Sequence, residues 1–581
     1  MKDENMGHTL CEKINNKIAK TFEELDLNKK FAFAKISDRP DLSDFQCNGA
    51  LALAKEEKKN PRQIAEEIAE KLRSDKDFVK ISVDGPGFLN FVLSDDFIAS
   101  NANELVEDER CGCSLVSAPK KIVLDYGGPN VAKEMHVGHL RSGVIGESVR
   151  RIEQFVGNKV IADVHLGDWG TPMGMILAEI IEKDGNCDNM KNYDIAEITK
   201  FYKQANIRCK EDEKAKEKAR IVTAELQNGN PEYTKAWKYI RKISVEAIKN
   251  NYLELGVNFD LWLGESDAHK TCFEVAEIAK QKGLLEFDDG AYIIRLDEEN
   301  KPKPPVIIEK SDGGFTYQAT DLATIKMRAE DLKADEIIYF TDKRQQLHFE
   351  QVFEAAQKLN IAPGIVLKHI GFGTVNGPDG KPFKTRDGGV MPLGDMIKMS
   401  KEKVAESMPK AGDENGFSKE EIEKLVNQVT IGAIKFQDLK NNIASGYIFD
   451  LEDFANFEGK TGPYIQYAVA RINSILRKNP ELIGGKIIVT NKEERDLMLK
   501  LSQFGAMVLR SEEEKEPSVI SEYIYNLAQI FSVFYNASSI KSAENKDIAA
   551  SRLSLAKLTR NILVKGLWLL GIEAPEVMPK A

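Results

Sequence analysis

Two histidines stand three residues apart in the stretch AKEMHVGHLRSG, shortly after a Gly-Gly-Pro-Asn loop. His136 and His139 flank Gly138, and such a pair suits a metal site, a buried pair on one helix face or a phosphate cradle. A metal site needs a third ligand, and a zinc peptidase also needs a glutamate where Val137 stands. The neighbouring loop makes burial of both rings on one face unexpected. We therefore favour a phosphate cradle, because a helix N-terminus offers unpaired N–H groups to phosphate.

A strand, a helix and a second strand surround the histidine pair. The run IVL in KKIVLDYGGPN predicts a short buried strand, and HLRSGVIGESVRRIEQFVG has a helical period closed by Gly157. NKVIADVHLGDWG then predicts another strand and a glycine-rich loop. Strand, helix and strand at this spacing form a βαβ unit and hence a parallel sheet. Ligands of such sheets bind beyond the carboxyl ends of the strands, which is where the histidines lie.

The remaining segments predict a multidomain chain of the α/β and α classes, as its 581 residues also suggest. Residues 1–112 form a small N-terminal α+β domain, with a helix in KNPRQIAEEIAEKLRSD and two strands in ISVDGPGFLNFVLS. A Rossmann-like parallel-sheet domain covers residues 118–395, with a mostly helical insertion at residues 175–300. A helical connecting region, residues 396–445, leads to a C-terminal α-helical bundle, residues 446–581.

The charge of the chain does not decide whether it binds nucleic acid. A net charge of −11 argues against nonspecific coating of RNA or DNA, but binding depends on local patches. A basic stretch at residues 541–566 is ordinarily a solvated helix face, unless the chain binds a polyanion. Its basic side chains are Lys541, Lys546, Arg552, Lys557, Arg560 and Lys565.

The seven cysteines predict neither a disulfide scaffold nor a structural zinc site. Only Cys111 and Cys113 are close in sequence, and no second pair follows at zinc-ligand spacing. Reduced thiols are typical of cytosolic proteins. No apolar run is long enough to cross a bilayer, and the N-terminus lacks the apolar segment of a signal peptide. We therefore expect a cytoplasmic protein without a structural metal or a membrane partner.

The motif His-x-Gly-His after a first strand is the signature of class I aminoacyl-tRNA synthetases. The longer run DYGGPNVAKEMHVGHLRSGVIGES, followed by HLGDWGTPMG, resembles the arginyl-tRNA synthetase version in particular. The resemblance runs from about residue 120 to the last residue, and residues 1–110 resemble the additional N-terminal domain of that family more loosely. The other matching segments are FTYQATDLA, DKRQQLH, GKPFKTRDGG, FEGKTGPYIQYAVARINSILR and LWLLGIEAPEVM.

This resemblance implies a ligation in two steps. The carboxylate of L-arginine attacks ATP to give arginyl-adenylate and pyrophosphate, and the 2′-OH of the terminal adenosine of tRNA(Arg) then takes the arginyl group. The implied ligands are ATP with Mg²⁺, L-arginine and tRNA(Arg), and a monomer is the family default. The N-terminal domain is expected to contact tRNA and the bundle to bind the anticodon. Arginine activation in this family generally waits for tRNA.

The nucleotide site is implied by the resemblance residue by residue. His139 is the expected partner of the phosphates, and a lysine just before the histidine motif is expected to assist it. The residues implied to contact ATP or act on its phosphates are Lys133, His136, Gly138, His139, His348, Lys384 and Arg386.

Two segments compete for the role of the mobile lysine loop that clamps pyrophosphate in class I enzymes. Lys398–Lys401 copies the usual loop sequence, but GDMIKMSKEKVAESM predicts an amphipathic helix with Met396, Met399 and Val404 on one side. GKPFKTRDGG matches the degenerate loop of arginyl-tRNA synthetases and ends in two glycines. The resemblance favours Lys384, and the residues by themselves leave the choice open.

Recognition of arginine requires acceptors for a planar guanidinium with five N–H donors. Tyr317 and Asp321 lie four apart at the start of a predicted helix, so both can face one pocket, although such a pair is commonly just surface. By resemblance, Asp321 accepts the guanidinium with Tyr317 and Gln345 beside it, and Asn130 and Asp125 hold the α-amino end. Asp125 replaces a glutamate found in many relatives.

An aromatic and basic helix in the bundle is implied to contact tRNA. Tyr464 and Tyr467 lie three apart and Arg471 follows four residues later. An aromatic pair at helical spacing is more often part of a core than a platform for bases, so the RNA role rests on the resemblance. The implied tRNA-binding residues are Tyr464, Tyr467, Arg471, Arg552, Lys557 and Arg560.

Two other functions stay open at this point. A class I synthetase for another amino acid would lack an acid where Asp321 stands. A non-catalytic RNA-binding relative usually has broken nucleotide motifs, whereas His136, Gly138 and His139 are intact.

Overall fold

The structure is a computed structural model of the 581-residue chain. It describes residues 9–296, 303–311, 313–381, 383, 391–408, 417–450 and 456–579. The chain divides into two compact units, one of residues 1–116, 409–432 and 456–581 and the other of residues 117–408 and 433–455. Within the described part, no helix has both the length and the apolar character needed to cross a membrane.

The N-terminal part of the first unit consists of α1 (Leu10–Glu24), β1 (Ala34–Ile36), β2 (Phe45–Cys47), α2 (Gly49–Glu57), α3 (Pro61–Leu72), β3 (Phe78–Asp84), β4 (Phe88–Leu93) and α4 (Asp95–Val106). Its strands form an antiparallel sheet in the order β1-β2-β4-β3. Asn60 caps α3, whose first residue is Pro61, so a side-chain acceptor and a fixed φ both favour the start of this helix. The helix and the strand pair predicted for this part are confirmed.

The helices of the second unit are α5 (Val137–Phe155), α6 (Thr171–Asp184), α7 (Ile195–Glu211), α8 (Glu213–Gln227), α9 (Pro231–Glu254), α10 (Glu265–Gln281), α11 (Tyr317–Glu330), α12 (Gln346–Leu359) and α13 (Leu393–Glu406). Its strands are β5 (Lys121–Asp125), β6 (Lys159–Asp163), β7 (Leu285–Asp288), β8 (Ala291–Ile294), β9 (Val306–Glu309), β10 (Glu336–Asp342), β11 (Val366–Phe372), β12 (Val375–Asn376) and β13 (Tyr447–Ile448).

A four-stranded parallel sheet in the order β11-β10-β5-β6 is the centre of the second unit. Residues 122–124 of β5 are fully buried, as expected for a strand covered on both faces. Helix α5 connects β5 to the parallel strand β6, and Gly157 follows the helix with a φ of +103°. The predicted βαβ unit and the glycine stop are confirmed. The predicted insertion, residues 175–300, holds most of α6, then α7–α10 and the antiparallel strands β7 and β8.

The last helices are α14 (Lys419–Leu439), α15 (Gly462–Lys478), α16 (Lys492–Leu501), α17 (Phe504–Glu514), α18 (Ser518–Ala537) and α19 (Lys546–Leu569). Helix α14 begins in the first unit and ends in the second, whereas α15–α19 belong to the first unit. The predicted helical C-terminal part is confirmed, and with the parallel sheet and the N-terminal α+β part it gives the predicted fold class.

Both ends of the chain pack together in the first unit. Helix α4 contacts α16 and α19. The Arg495 guanidinium of α16 donates to both carboxylate oxygens of Asp44, at 2.9 and 2.7 Å, and to Asp95 at 3.0 Å. The Asn103 amide exchanges two hydrogen bonds of 2.9 Å with the backbone of Ile487. The first unit therefore needs both the beginning and the end of the sequence.

Candidate active site

A cleft of about 930 Å³ lies at the carboxyl ends of the central strands. Its walls come from the loop after β5, the start of α5, the first turns of α10 and α11, and the segments that follow β10 and β11. We call His136, Gly138, His139 and residues 372–375 the imidazole face. We call Asp125, Glu265, Tyr317, Asp321 and His348 the acidic face. All of these residues line the cleft.

The histidine pair begins α5 and is bonded to its own backbone. His136 caps the helix, and its Nδ1 accepts the N–H of Gly138 at 3.1 Å. The Nδ1 of His139 accepts the N–H of His136 at 3.1 Å. Since both Nδ1 atoms are acceptors, each neutral ring carries its proton on Nε2 and can donate it to a ligand. A Cβ at Gly138 would lie 2.8 Å from the His136 ring, so only glycine leaves the ring in place.

Both imidazoles are neutral at physiological pH. Burial, together with the charges of His136 and Lys133, lowers the pKa of His139 to about 3. Burial and the charge of Lys133 also lower the pKa of His136. The imidazole face therefore offers N–H dipoles and helix-start amides, without imidazolium charge.

Of three further residues predicted to meet phosphate, one lies away from this face and two are outside the described residues. The ammonium of Lys133 lies 4.3 Å from the ring centroid of Tyr202 on α7, and Lys133 does not line the cleft. Lys384 and Arg386 lie outside the described residues. The neighbouring Phe383 is described, and it lines the cleft.

The competing lysine segment lies on a helix. Lys398–Lys401 falls within α13, as predicted, and the Lys401 ammonium pairs with Glu254 at 2.7 Å. Met396 and Val404 are buried, but Met399 is 40% exposed. The three residues lie on roughly one side of the helix, as predicted, with Met399 at the exposed edge of that side. The helix supports the view that this segment is not the mobile clamp.

The acidic face is organised around Asp321. Its Oδ2 lies 2.6 Å from Nε2 of His348, and the His348 and Tyr317 rings are 5.0 Å apart. Tyr317 and Asp321 lie in the first turns of α11 and both line the cleft, so the predicted i,i+4 arrangement is confirmed. His348, which the sequence assigned to the nucleotide, is placed here beside the acid. Gln345 lines the same cleft.

Asn130 is held by a close contact with a glycine. A Cβ at Gly167 would lie 2.1 Å from Oδ1 of Asn130, so any other residue there would displace the amide. Asn130 lines the cleft together with Asp125, its predicted neighbour at the α-amino end.

Sequence reasoning missed a buried arginine behind Asp125. Nη2 of Arg328 donates to Asp125 and to Asp163, at 2.7 Å each, and Arg328 is 1% exposed. Burial raises the pKa of Asp125, and Arg328 offsets part of that rise. Arg328 is 203 residues from Asp125 in sequence, so no local pattern connects them.

Glu265 was also missed. It begins α10 and lines the cleft. Burial, partly offset by the charge of His165 and assisted by the charges of Asp168 and Asp321, raises its pKa to about 7. The acidic face therefore includes one carboxyl group that titrates near neutral pH.

The residues predicted to contact tRNA belong to the first unit. Tyr464 and Tyr467 are half-buried, and the Arg471 guanidinium lies exposed at 4.6 Å from the ring of Tyr535. Lys557 is half-buried on α19. Two of the basic residues have partners within the bundle: Arg552 pairs with Glu494 at 2.8 Å, and Arg560 donates to Asn473 at 3.1 Å.

Three family models match the chain. The model of the tRNA synthetases class I (R), catalytic domain, matches residues 102–451. The DALR anticodon binding domain matches residues 465–578, and the arginyl tRNA synthetase N terminal domain matches residues 8–93.

Individual relatives match nearly the whole length of the chain. The arginine–tRNA ligase of Alkaliphilus oremlandii is 43% identical over 587 residues, which cover 98% of this chain and all of the relative. That of Francisella tularensis is 42% identical over 97% of this chain and 99% of the relative. The arginyl-tRNA synthetase structure of Plasmodium falciparum gives a TM-score of 0.80 at 26% identity, covering 98% and 99% of the two chains. That of Thermus thermophilus gives 0.77 at 23% identity, which shows a shared fold.

Proposed function

The chain belongs to the arginyl-tRNA synthetases of class I, and on this premise we propose that its cleft assigns ATP to the imidazole face and L-arginine to the acidic face. The activity is arginine–tRNA ligation. In the first step a carboxylate oxygen of arginine bonds to the α-phosphorus of ATP, and the bond to the bridging oxygen breaks, releasing pyrophosphate. In the second step a ribose hydroxyl of the terminal adenosine of tRNA attacks the carbonyl carbon, and AMP leaves.

The imidazole face suits the phosphates because its donors are fixed before the substrate binds. The Nε2–H groups of His136 and His139 and the amides at the start of α5 can stabilise negative charge that develops during attack. Lys384 and Arg386 are proposed to add cationic contacts, on the strength of their sequence match. Lys133 would first have to leave the ring of Tyr202, so we assign it a smaller part.

Mg²⁺ is proposed to enter with the phosphates of ATP. Among the described residues there is no group of three His, Cys, Asp or Glu side chains arranged for a metal ion. Magnesium commonly keeps its waters and binds through substrate phosphates, so it needs no cage of protein ligands.

The acidic face suits L-arginine because its acid is oriented before binding. His348 holds one oxygen of Asp321, which leaves the other oxygen for the guanidinium, with Tyr317 and Gln345 beside it. Asn130 and Asp125 are proposed to hold the α-amino end, with Asp125 fixed from behind by Arg328. Lysine presents a single ammonium and would leave the planar set of acceptors partly unpaired.

The rest of the chain is proposed to bind tRNA(Arg). We assign residues 446–581 to the anticodon and residues 1–112 to another part of the tRNA, flanking the catalytic residues 118–395 and the connecting residues 396–445. Tyr464, Tyr467, Arg471 and Lys557 are the proposed contacts, and Arg552 and Arg560 take part only if they leave their partners in the bundle. We propose a cytoplasmic monomer, in keeping with a role in translation.

One observation supports this division most directly: a single cleft joins neutral N–H donors at a helix start to a face of carboxylates. The test is arginine-dependent exchange of pyrophosphate into ATP, with and without tRNA(Arg), and with lysine as the control amino acid. We expect exchange only when arginine and tRNA are both present. Exchange without tRNA would remove the tRNA dependence, and equal exchange with lysine would contradict the assignment of the acidic face.

A further inference from the structure

Arg141 is buried in the wall of the cleft beside the histidine pair. It lies two residues after His139 on α5, and it is 1% exposed. Its Nε lies 3.2 Å from both carboxylate oxygens of Asp438, which is fully buried, and its Nη1 donates to the carbonyl of Ser445 at 2.7 Å. Among the described residues, Nη2 has no hydrogen-bond partner. The guanidinium thus binds both the last turn of α14, through Asp438, and the chain between α14 and β13, through Ser445.

That chain segment, residues 443–449, supports the cleft wall directly. Its Ile443 carbonyl accepts the N–H of Gly373 at 3.0 Å, and the N–H of Tyr447 donates to Thr374 at 3.1 Å. A Cβ at Gly373 would lie 2.4 Å from the backbone of Gly446. Strands β12 and β13 continue this contact as a parallel pair. Residues 372–375 therefore follow any movement of residues 443–449.

The guanidinium also touches the wall itself. Its central carbon lies 6.0 Å from the ring centroid of Phe372 and 5.3 Å from that of Tyr447. A buried ion pair is weak evidence for stability, because desolvation of two charges offsets much of their attraction. An ion pair in this position has another consequence, which is to fix the distance between α5 and residues 372–375.

We propose that Arg141 is a positioning residue for the nucleotide: through Asp438 and Ser445 it holds residues 372–375 at the separation from the histidine pair that ATP requires. The inference rests on the proposed assignment of ATP to the imidazole face. Arg141 itself need not touch ATP. It acts by keeping a fixed distance between the two sides of the nucleotide site, the histidine pair and residues 372–375.

The test compares the substrate dependence of pyrophosphate exchange in Arg141→Lys and Asp438→Asn, with tRNA(Arg) present. Lysine keeps the charge but lacks the planar set of N–H donors with which the guanidinium bonds Asp438 and Ser445 at the same time. We expect the KM for ATP to rise roughly tenfold or more in both variants, since small misplacements of binding groups are costly. The KM for arginine should stay within about twofold of wild type, because the acidic face is untouched.

Asp44→Asn is the matched control. Asp44 pairs with Arg495 in the first unit and its side chain is 8% exposed, so its loss should lower the melting temperature and leave both KM values unchanged. A variant of Arg141 or Asp438 that behaves like this control has a purely structural role, and that result would overturn the inference. So would equal increases in the two KM values.

Gly373→Ala tests the same idea if the charge variants do not fold. The added Cβ meets residues 445–446, so it should displace the wall and raise the KM for ATP selectively without removing a charge. A normal KM for ATP in a folded Gly373→Ala chain would contradict the inference. Calorimetric titration of wild type and Arg141→Lys with ATP alone separates the two proposals: if wild type binds ATP tenfold more tightly but does not exchange pyrophosphate, the proposed function fails and the inference stands.

Discussion

The two faces of the cleft differ in the charge of the groups that they present to a ligand. The imidazole face presents neutral N–H donors, whose neutrality comes from burial of His136 and His139. The acidic face presents carboxylates, and two of these are bonded to a partner: Asp321 to His348 and Asp125 to Arg328. Neutral donors can be buried in a cleft at little cost, whereas buried carboxylates need hydrogen-bonding or charged partners. The same cleft can therefore hold an anionic and a cationic substrate side by side without the two sets of groups neutralising each other.

If the two faces bind different substrates, a change on one face should alter the use of one substrate only. A change on either face that alters the use of both substrates equally would show that the faces are not separate. The first of the following variants tests the acidic face, where we expect the largest effect.

Asp321→Asn should reduce kcat/KM for arginine by about 100- to 1000-fold, because it leaves a guanidinium without its charged acceptor. The KM for ATP should not change. Pyrophosphate exchange at varied arginine and varied ATP measures both values. Asp331→Asn, on the exposed C-terminal end of the same helix, is the control and should behave as wild type. A similar loss for both substrates would mean that the faces are not separate.

His139→Ala should reduce the exchange rate about 100-fold, because the phosphates of ATP lose one hydrogen-bond donor. Removal of one preorganised donor has an effect of this size in other enzymes. The KM for arginine should be unaffected. His369→Gln is the control, because His369 is half-buried with a lowered pKa but does not line the cleft. An unchanged rate in His139→Ala would show that the imidazole face does not hold phosphate.

The pH dependence of the two KM values should also distinguish the faces, with a smaller effect than either substitution. Glu265, with its pKa raised to about 7, is neutral below that pH and charged above it, so the acidic face gains a negative charge as the pH rises. The KM for arginine should fall about three- to tenfold between about pH 6 and pH 8, and Glu265→Gln should abolish this change. The pKa of His139 is about 3, so its ring stays neutral throughout and the KM for ATP should show no inflection from it. An inflection that persists in Glu265→Gln would assign the titration to another group.

Lys401→Ala should have the smallest effect. Lys401 pairs with Glu254 at the edge of a helix, and a pair this exposed contributes at most about 1 kcal/mol to stability. Exchange should remain at the wild-type rate, whereas Lys384→Ala should lose most of it. The reverse result would move the phosphate clamp to Lys398–Lys401.

The histidine motif of the imidazole face could be predicted from the sequence because its residues are close together in the chain. His136, Gly138 and His139 are bonded to one another within four residues, and the βαβ unit around them follows from a short apolar run and a helical period. The pair Tyr317 and Asp321 was accessible for the same reason, since a helix alone brings positions i and i+4 together.

The partners of the charged groups could not be predicted from the sequence, because only the fold brings each group and its partner together from distant parts of the chain. Arg328 reaches Asp125 across 203 residues and Arg141 reaches Asp438 across 297. The raised pKa of Glu265 likewise depends on burial and on acids from other elements. Single residues also remained ambiguous, as Met399 shows: a helical pattern does not reveal where the buried stripe ends.

The packing of α4 against α16 and α19 affects how the protein can fold during its synthesis. Ribosomes add about 5 to 20 residues per second, so roughly 20 to 90 seconds separate the synthesis of residues 1–116 from that of the last residues. During this interval the nascent chain exposes the surface of α4 that the C-terminal helices later cover. The bonds of Asp44 and Asn103 to Arg495 and Ile487 can form only after most of the catalytic unit has emerged. Completion of the first unit is therefore a late event, and its early half depends on the rest of translation for its final contacts.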